Sequence, residues 1–235
     1  MSDTARKLRS MAARRMGAVG LDWNNVQKQA KQVVVFGSYA MSVNRPGSDL
    51  DVLCIGEGPH FKSPQLHIVW IPEHRTHSRK WLRSELATHV AAYGKWIKGH
   101  NTWAHITKPS LSTVIRKKGN VIARLNALQR HWDDLLPSFQ NNQLKKLRRD
   151  IQRFQMMRRG LPPVPKTLLD KSWKADHGAE RWLTLVGTNS SLGKRVMGFL
   201  VNRGITDSGY CRLFQYQFSI VEFGRGAESE DGVIG

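Results

Sequence analysis

The sequence predicts an α+β fold, with an α/β core in the first part of the chain and a basic, mainly α-helical region after it. Short apolar runs rich in β-branched residues occur in the first third of the chain, between Gly, Pro, Asn and Asp residues. Such runs are typical of buried strands. From about residue 79 onward, apolar residues recur at the three- or four-residue spacing of amphipathic helices. A length of 235 residues is sufficient for one such core with a smaller appended domain.

Three segments have the pattern of strands. Residues 33–36 and 52–55 are short apolar runs, and residues 66–71 form a third run that Pro72 closes. Proline cannot donate to a sheet ladder, so we expect the third strand to end there. The Arg-rich start of the chain lacks the serine content of a transit peptide, and we expect it to form a basic helix of the same domain.

Helical spacing follows the strands. One helix is predicted from residue 79 to about residue 99, with Ser78 available as its N-cap. A second is predicted over residues 111–136, stopping before Pro137, and a third ends at Gly160. These patterns divide the chain into a core, a basic helical domain and a Gly- and acid-rich tail expected to be flexible, with boundaries at 1–105, 106–223 and 224–235.

The charge of the chain indicates a polyanionic partner. It holds 37 Lys and Arg against 18 Asp and Glu, a formal net charge of +19, and such a field attracts nucleic acid. Residues 33–78 are an exception, with four acidic and three basic side chains. We expect the chemistry in this acidic island, although excess charge can also serve solubility alone.

The apolar runs are far shorter than the roughly 20 residues needed to cross a bilayer, so no membrane partner is expected. The two cysteines, Cys54 and Cys211, lack the spacing of a metal site or a disulfide scaffold. We therefore expect a cytoplasmic protein.

The most informative segment places a Gly-Ser turn and an Asp-x-Asp pair between two strands. Gly37 allows a tight turn after the first strand, and Ser38 supplies a hydroxyl and an N–H there, as in a phosphate-binding corner. Asp49 and Asp51 are two positions apart at the start of the next strand, so their side chains are expected on one face of the sheet. Paired carboxylates beside a phosphate corner suit Mg²⁺, which completes its coordination with water and triphosphate oxygens.

This order of strand, Gly37-Ser38, ten residues, Asp49-Leu50-Asp51 and strand resembles the signature of the polymerase-β-type nucleotidyltransferase superfamily, particularly its minimal nucleotidyltransferase branch. The resemblance is clearest over about residues 30–100. It implies a small mixed β-sheet core with flanking helices and transfer of NMP from an NTP. It also implies that Gly37 and Ser38 bind the triphosphate and that Asp49 and Asp51 bind Mg²⁺ or Mn²⁺.

His67 departs from the family pattern. Members commonly carry a third carboxylate on the next strand, which helps to deprotonate the attacking hydroxyl, and His67 stands at that position here. A histidine can accept a proton at neutral pH, so His67 is a candidate catalytic base. Three alternatives remain open: Glu57 or Glu73 takes over, the protein binds nucleotide but transfers poorly, or His67 is a structural histidine of the sheet.

The basic helical region is the candidate nucleic-acid surface. The residues of its third helix that we expect to bind RNA are Lys145, Lys146, Arg148, Arg149 and Arg153. An ordinary solvated face is the alternative interpretation.

The charge also narrows the class of acceptor. A strongly basic surface repels aminoglycosides, which are cations, and favours an RNA acceptor, above all a tRNA. A stand-alone RNA nucleotidyltransferase, including one that acts as the toxin of a toxin–antitoxin pair with a protein partner, is therefore our first hypothesis. The alternatives are an AMPylating antitoxin acting on a HEPN-type partner and a catalytically impaired RNA-binding module.

Overall fold

The computed structural model describes residues 2–107, 109–172, 182, 185–186 and 190–205. The tail 224–235 and Cys211 lie outside the described residues. Within them the chain combines one sheet with flanking helices, which confirms the predicted α+β class. No helix in the described ranges is both long and apolar enough to span a membrane.

The sheet is mixed. Its strands lie in the spatial order β3-β4-β2-β1-β5, where β1 is Ala30–Phe36, β2 is Leu50–Gly56, β3 is Phe61–Lys62, β4 is Leu66–Ile71 and β5 is Lys95–Lys98. β1 pairs antiparallel with β2 and β5, whereas β2 pairs parallel with β4, and β4 pairs antiparallel with β3. The three strands predicted from the sequence are confirmed as β1, β2 and β4.

This topology brings three chain segments to one edge of the sheet. Because β1 and β2 are antiparallel, the end of β1 lies beside the start of β2, and because β2 and β4 are parallel, both begin at that edge. The register is Phe36 opposite Asp51 and Asp51 opposite His67. Gly37 directly follows β1, and Asp49 directly precedes β2.

Helices precede, separate and follow the strands along the chain. Their bounds are α1 Asp3–Ala18, α2 Trp23–Gln29, α3 Gly37–Ala40, α4 Arg79–Leu82, α5 Glu85–Tyr93, α6 Leu111–His131, α7 Pro137–Arg158, α8 Lys166–Lys171 and α9 Ser191–Asn202, with short 3₁₀ helices at Glu73–Arg75 and Ala104–Ile106. The Ser78 hydroxyl accepts from the Trp81 N–H, which confirms the predicted N-cap, and Ser84 caps α5 in the same way.

The prediction of one helix from residue 79 to 99 was wrong. The chain forms α4 and α5, leaves helical geometry at Gly94 and adds β5 to the sheet beside β1. Gly94 packs against β1 so closely that a Cβ there would lie 2.8 Å from Cγ1 of Val34. Trp96 and Ile97 then pack on opposite faces of the sheet, as strand residues do. Pairing with β1 thus overrides the helical spacing of the apolar residues.

The sheet is covered on both faces. On one face, Leu8, Ala12 and Met16 of α1 join Val52 and other strand residues in a buried cluster. On the other face, Leu53 and its neighbours pack against the residues of α4 and α5. Because side chains alternate along a strand, Asp51 and the residue opposite it on β4 lie on the second face, the one that α5 covers.

The chain forms two compact units, residues 1–120 with 148–173 and residues 121–147 with 174–235. The first unit holds the sheet and the segment from the end of α7 through α8. In the second unit, Trp132 stacks edge-on against Phe199 with ring centroids 5.3 Å apart, and Arg195 donates to the Asn126 side chain at 2.6 Å.

Candidate active site

A cavity of about 650 Å³ opens at the sheet edge where β1 ends and β2 and β4 begin. Its lining includes the five residues singled out in the acidic island, which are Gly37, Ser38, Asp49, Asp51 and His67. The fold therefore brings together residues that are up to 30 positions apart in the sequence. The site lies wholly within the first unit.

Asp49 and Asp51 are two acidic side chains that line this cavity. Burial raises the pKa of the Asp51 carboxyl, and the neighbouring charge of Asp49 raises it further, whereas the hydrogen bond to His67 acts in the opposite direction. A bound cation would offset the negative charge that burial and Asp49 make unfavourable at Asp51. Among the described residues, no group of three or more His, Cys, Asp or Glu side chains could hold a metal ion. The paired carboxylates of Asp49 and Asp51 fit a hard divalent ion that takes its remaining ligands from water and nucleotide phosphates.

His67 lies beside Asp51 on the neighbouring strand. Its Nδ1 lies 3.1 Å from Oδ1 of Asp51, so an Nδ1–H donates to the carboxylate and leaves Nε2 with a lone pair. In the described part of the chain, Nε2 has no hydrogen-bond partner. The arrangement can therefore accept a proton at Nε2 while Asp51 fixes the orientation of the ring.

The turn at Gly37 lies so close to the Asp51 carboxylate that a larger residue would not fit there. Gly37 adopts φ +72°, and a Cβ at this position would lie 3.3 Å from Cγ of Asp51 and overlap its Oδ2. From the sequence, the glycine is expected because the chain turns tightly after the first strand. The structure adds a second cause, which is the close approach of the turn to the Asp51 side chain. Ser38 follows in the turn, and its hydroxyl has no partner among the described residues, so it is available to a ligand.

His89 on α5 is a site residue that sequence reasoning missed. Its ring is buried at 8% exposure, its Nε2 accepts from the Gly37 N–H at 3.2 Å, and its Nδ1–H donates to the Pro163 carbonyl at 2.6 Å. These two bonds require the neutral ring with the proton on Nδ1. Burial lowers the pKa of His89, which favours the same neutral form. The sequence shows only a histidine on the apolar stripe of a helix, and that pattern carries no signal for this role.

Two basic side chains that line the cavity come from the later helices α7 and α8. Lys166 of α8 places its Nζ 4.0 Å from Oδ1 of Asp49. Arg153 of α7 lines the same cavity, and its Nε lies 3.8 Å from Oε1 of Glu85. From the sequence, Arg153 is predicted to bind RNA, and Lys166 is not among the predicted site residues.

The other predicted RNA-binding residues divide into two groups. Arg148 is buried and makes an ion pair with Asp170, and Nη2 of Arg149 lies 2.6 Å from Oδ2 of the same carboxylate. Lys145 and Lys146 are exposed. Of these four residues, only the two lysines present their charges to solvent.

The alternative acids are at the other end of the sheet. Glu57 and Glu73 follow the ends of β2 and β4 and line a separate recess with Lys31, which pairs with Glu73. A different carboxylate, that of Glu85, lines the candidate site, where the buried Lys117 holds it at 3.1 Å.

Comparison with known families identifies the domain that carries this geometry. A family model described as a nucleotidyltransferase domain matches residues 23–119. Residues 23–119 belong to the nucleotidyltransferase family. The match confirms the resemblance at the level of the nucleotidyltransferase superfamily and covers the Gly-Ser turn, both aspartates and His67. Among proteins of curated function, none matches the chain significantly.

The protein is therefore a nucleotidyltransferase, an enzyme of NMP transfer from an NTP, and members of this family generally use a divalent metal ion. Its nucleotidyltransferase domain supplies the carboxylates and the turn. Arg153, Lys166 and the Pro163 carbonyl come from residues beyond the matched segment, which is why the resemblance did not indicate them.

Proposed function

We propose that this nucleotidyltransferase uses Mg²⁺ and an NTP to add NMP to an RNA acceptor, above all a tRNA, with Asp49 and Asp51 as the metal ligands. The observation that carries the proposal is the convergence of these two carboxylates with Ser38 on one cavity of about 650 Å³. That volume is in the range of small-molecule sites, roughly 300–1,000 Å³.

Asp49 and Asp51 are the proposed ligands because they are the paired carboxylates of the site. A bound divalent ion would neutralise charge on the α-phosphate and on the leaving pyrophosphate. Ion binding would also relieve the mutual repulsion of the two carboxylates, which in its absence contributes to the raised pKa of Asp51.

We assign the triphosphate to Ser38, Arg153 and Lys166. All three line the cavity. Among the described residues, the ammonium group of Lys166 has one ionic contact, the 4.0 Å approach to Asp49, and its side chain is 61% exposed. Once the carboxylate is engaged by a cation, the ammonium group is free to turn to phosphate oxygens. The Ser38 hydroxyl is well suited to donate to the same group because it has no other partner in the described structure.

We assign the base to Nε2 of His67. The acceptor hydroxyl attacks the α-phosphorus, the P–O bond to pyrophosphate breaks, and the hydroxyl proton passes to Nε2. The Nδ1–H bond to Asp51 orients the ring during this transfer and stabilises the imidazolium that forms.

The charge of the chain supports RNA as the acceptor. The formal net charge of +19 favours a polyanion, and Lys145 and Lys146 stand exposed on α7. Addition of an extra nucleotide beyond the mature 3′ end of a tRNA would displace the hydroxyl that accepts the amino acid and so block its use in translation. Growth arrest that depends on Asp51 is therefore the expected phenotype if the protein is the toxin of a toxin–antitoxin pair.

The proposal is tested by incubating the purified full-length chain with Mg²⁺, each α-³²P-labelled NTP, and either total RNA or total protein from cells. We expect label in a tRNA-sized band with wild type, none with Asp51→Asn, and undiminished label with Glu73→Gln, which removes a carboxylate at the opposite end of the sheet.

Label in a protein band would instead support the AMPylating alternative. Absence of label from both pools would contradict transfer to cellular macromolecules and favour a catalytically impaired RNA-binding module. Retention of label in Asp51→Asn would overturn the assigned metal site.

A further inference from the structure

Arg15 on α1 makes an unusual set of contacts with segments that precede or follow the site residues. Its Nη1 donates to the carbonyl oxygens of Ser48 at 3.0 Å and Gln65 at 2.5 Å, and its Nη2 donates to the Tyr39 hydroxyl at 2.5 Å. The guanidinium carbon also lies 4.8 Å from the centroid of the Tyr39 ring. Arg15 lies outside the segment 23–119 that matches the nucleotidyltransferase family.

Each of these contacts is one or two residues from a proposed site residue. Tyr39 follows Ser38, Ser48 precedes Asp49, and Gln65 comes two positions before His67. The Gln65 carbonyl also accepts from the Leu50 N–H at 2.9 Å, directly beside Asp49 at the start of β2. One side chain therefore makes hydrogen bonds to the three segments that carry the phosphate-binding serine, the first aspartate and the candidate base.

Arg15 acts on these segments from outside the cavity. It does not appear among the described residues that line the cavity, and α1 packs on the face of the sheet opposite to Asp51 and His67. Any effect on transfer must therefore pass through the position of the backbone, and Arg15 does not qualify as a catalytic residue.

The chemistry of arginine suits this role. Its planar guanidinium offers five N–H donors in a fixed fork, whereas a lysine ammonium is a compact group at the end of a flexible stem. A lysine at this position can reach one or two of the three acceptors. The neighbouring Arg14 is exposed and makes no contact of this kind in the described structure, which provides a matched comparison.

We propose that Arg15 is a positioning residue, which fixes the Ser38, Asp49 and His67 segments relative to one another and so sets the geometry of the metal and nucleotide site. This proposal rests on the proposed function for the identity of those site residues. Its consequence is that the N-terminal helix contributes to catalysis through one arginine.

The test compares Arg15→Met and Arg15→Lys with Arg14→Met in the full-length chain. Arg15→Met and Arg14→Met each remove one positive charge, so any effect on RNA attraction is matched. We expect kcat of Arg15→Met to fall by about tenfold to a hundredfold, since a misplacement of about 1 Å can lower a rate a hundredfold. The Mg²⁺ concentration for half-maximal rate should rise, and Arg15→Lys should restore part of both values.

Thermal unfolding is measured for each variant so that the rates are compared well below every Tm. Arg14→Met should match wild type in kcat and in its Mg²⁺ requirement. A lower Tm for Arg15→Met with unchanged kcat and unchanged Mg²⁺ requirement would indicate a purely structural arginine and would overturn the proposal.

A second measurement separates this proposal from the proposed function. Binding of α,β-methylene-ATP is titrated against Mg²⁺ by calorimetry, which requires no acceptor. If wild type labels no acceptor but binds the analogue in a Mg²⁺-dependent way, the acceptor assignment fails alone. The Arg15 proposal is then supported if Arg15→Met needs more Mg²⁺ than Arg14→Met, and is contradicted if the two variants bind alike or if wild type itself shows no Mg²⁺-dependent binding.

Discussion

Replacing Gly37 with alanine should abolish transfer by displacing the Asp51 carboxylate, while the fold persists. Gly37 has φ +72°, in the left-handed region where an L-residue costs roughly 1–2 kcal/mol relative to glycine. The new methyl group would lie 3.3 Å from Cγ of Asp51 and overlap Oδ2, so the carboxylate must move. Moving it breaks the 3.1 Å contact with His67 and disturbs the proposed metal site.

The stability loss from backbone strain is small against the roughly 5–15 kcal/mol that stabilises a typical domain, so Gly37→Ala should remain folded. Gly20→Ala is the matched control. Gly20 has φ +76°, and apart from Gly20 itself and its chain neighbours, no atom of the described residues lies within 4 Å of the place that an alanine methyl group would occupy, so its substitution carries the same strain without the collision.

Urea unfolding and labelled-NMP transfer are measured for both alanine variants. We expect similar losses in the free energy of unfolding, within about 1 kcal/mol of each other, because both losses come mainly from the left-handed backbone. Transfer should be lost only in Gly37→Ala. If Gly37→Ala transfers as well as Gly20→Ala, the Asp51 carboxylate does not need its observed position and the reasoning is refuted.

Three further predictions concern charge and protonation. Asp51→Asn should abolish transfer and raise the Tm of the metal-free protein. Burial and a neighbouring carboxylate raise the pKa of Asp51, so its charged form destabilises the fold, and asparagine removes that charge. A lower Tm would contradict this prediction. Burial lowers the pKa of His89 below its ordinary value of 6.5. As the pH falls below 6.5, the histidine therefore binds a proton more readily in the unfolded chain than in the folded chain, and the free energy of unfolding decreases. Urea unfolding at pH 7.5 and 5.5 should show a smaller loss for His89→Gln than for wild type, and equal losses would show that His89 is not the group responsible. Charge reversal at Lys145 and Lys146 should weaken RNA binding and reduce its salt dependence, measured by titration at several salt concentrations; unchanged binding would move the RNA surface elsewhere.

The sequence by itself determined where in the fold the candidate site lies. Strands β1, β2 and β4 were predictable because buried strands need continuous apolar runs, and Gly37, Asp49 and Asp51 because a turn and an alternating strand dictate where neighbouring side chains point. These are local rules that act over a few residues. The position of His67 next to the aspartates was expected from the resemblance to the nucleotidyltransferase superfamily, and the parallel pairing of β2 with β4 brings it there.

Only the tertiary structure decided which distant residues complete the site. His89 bonds to the Gly37 N–H across 52 positions, and Arg15 bonds to the Gln65 carbonyl across 50. Tertiary contacts also made a strand of residues 95–98, whose spacing predicted a helix, and paired Arg148 with a carboxylate 22 positions away. Local periodicity carries no information about such pairs, because the energy of a hydrogen bond or a packed strand depends on the partner that the completed fold brings to it.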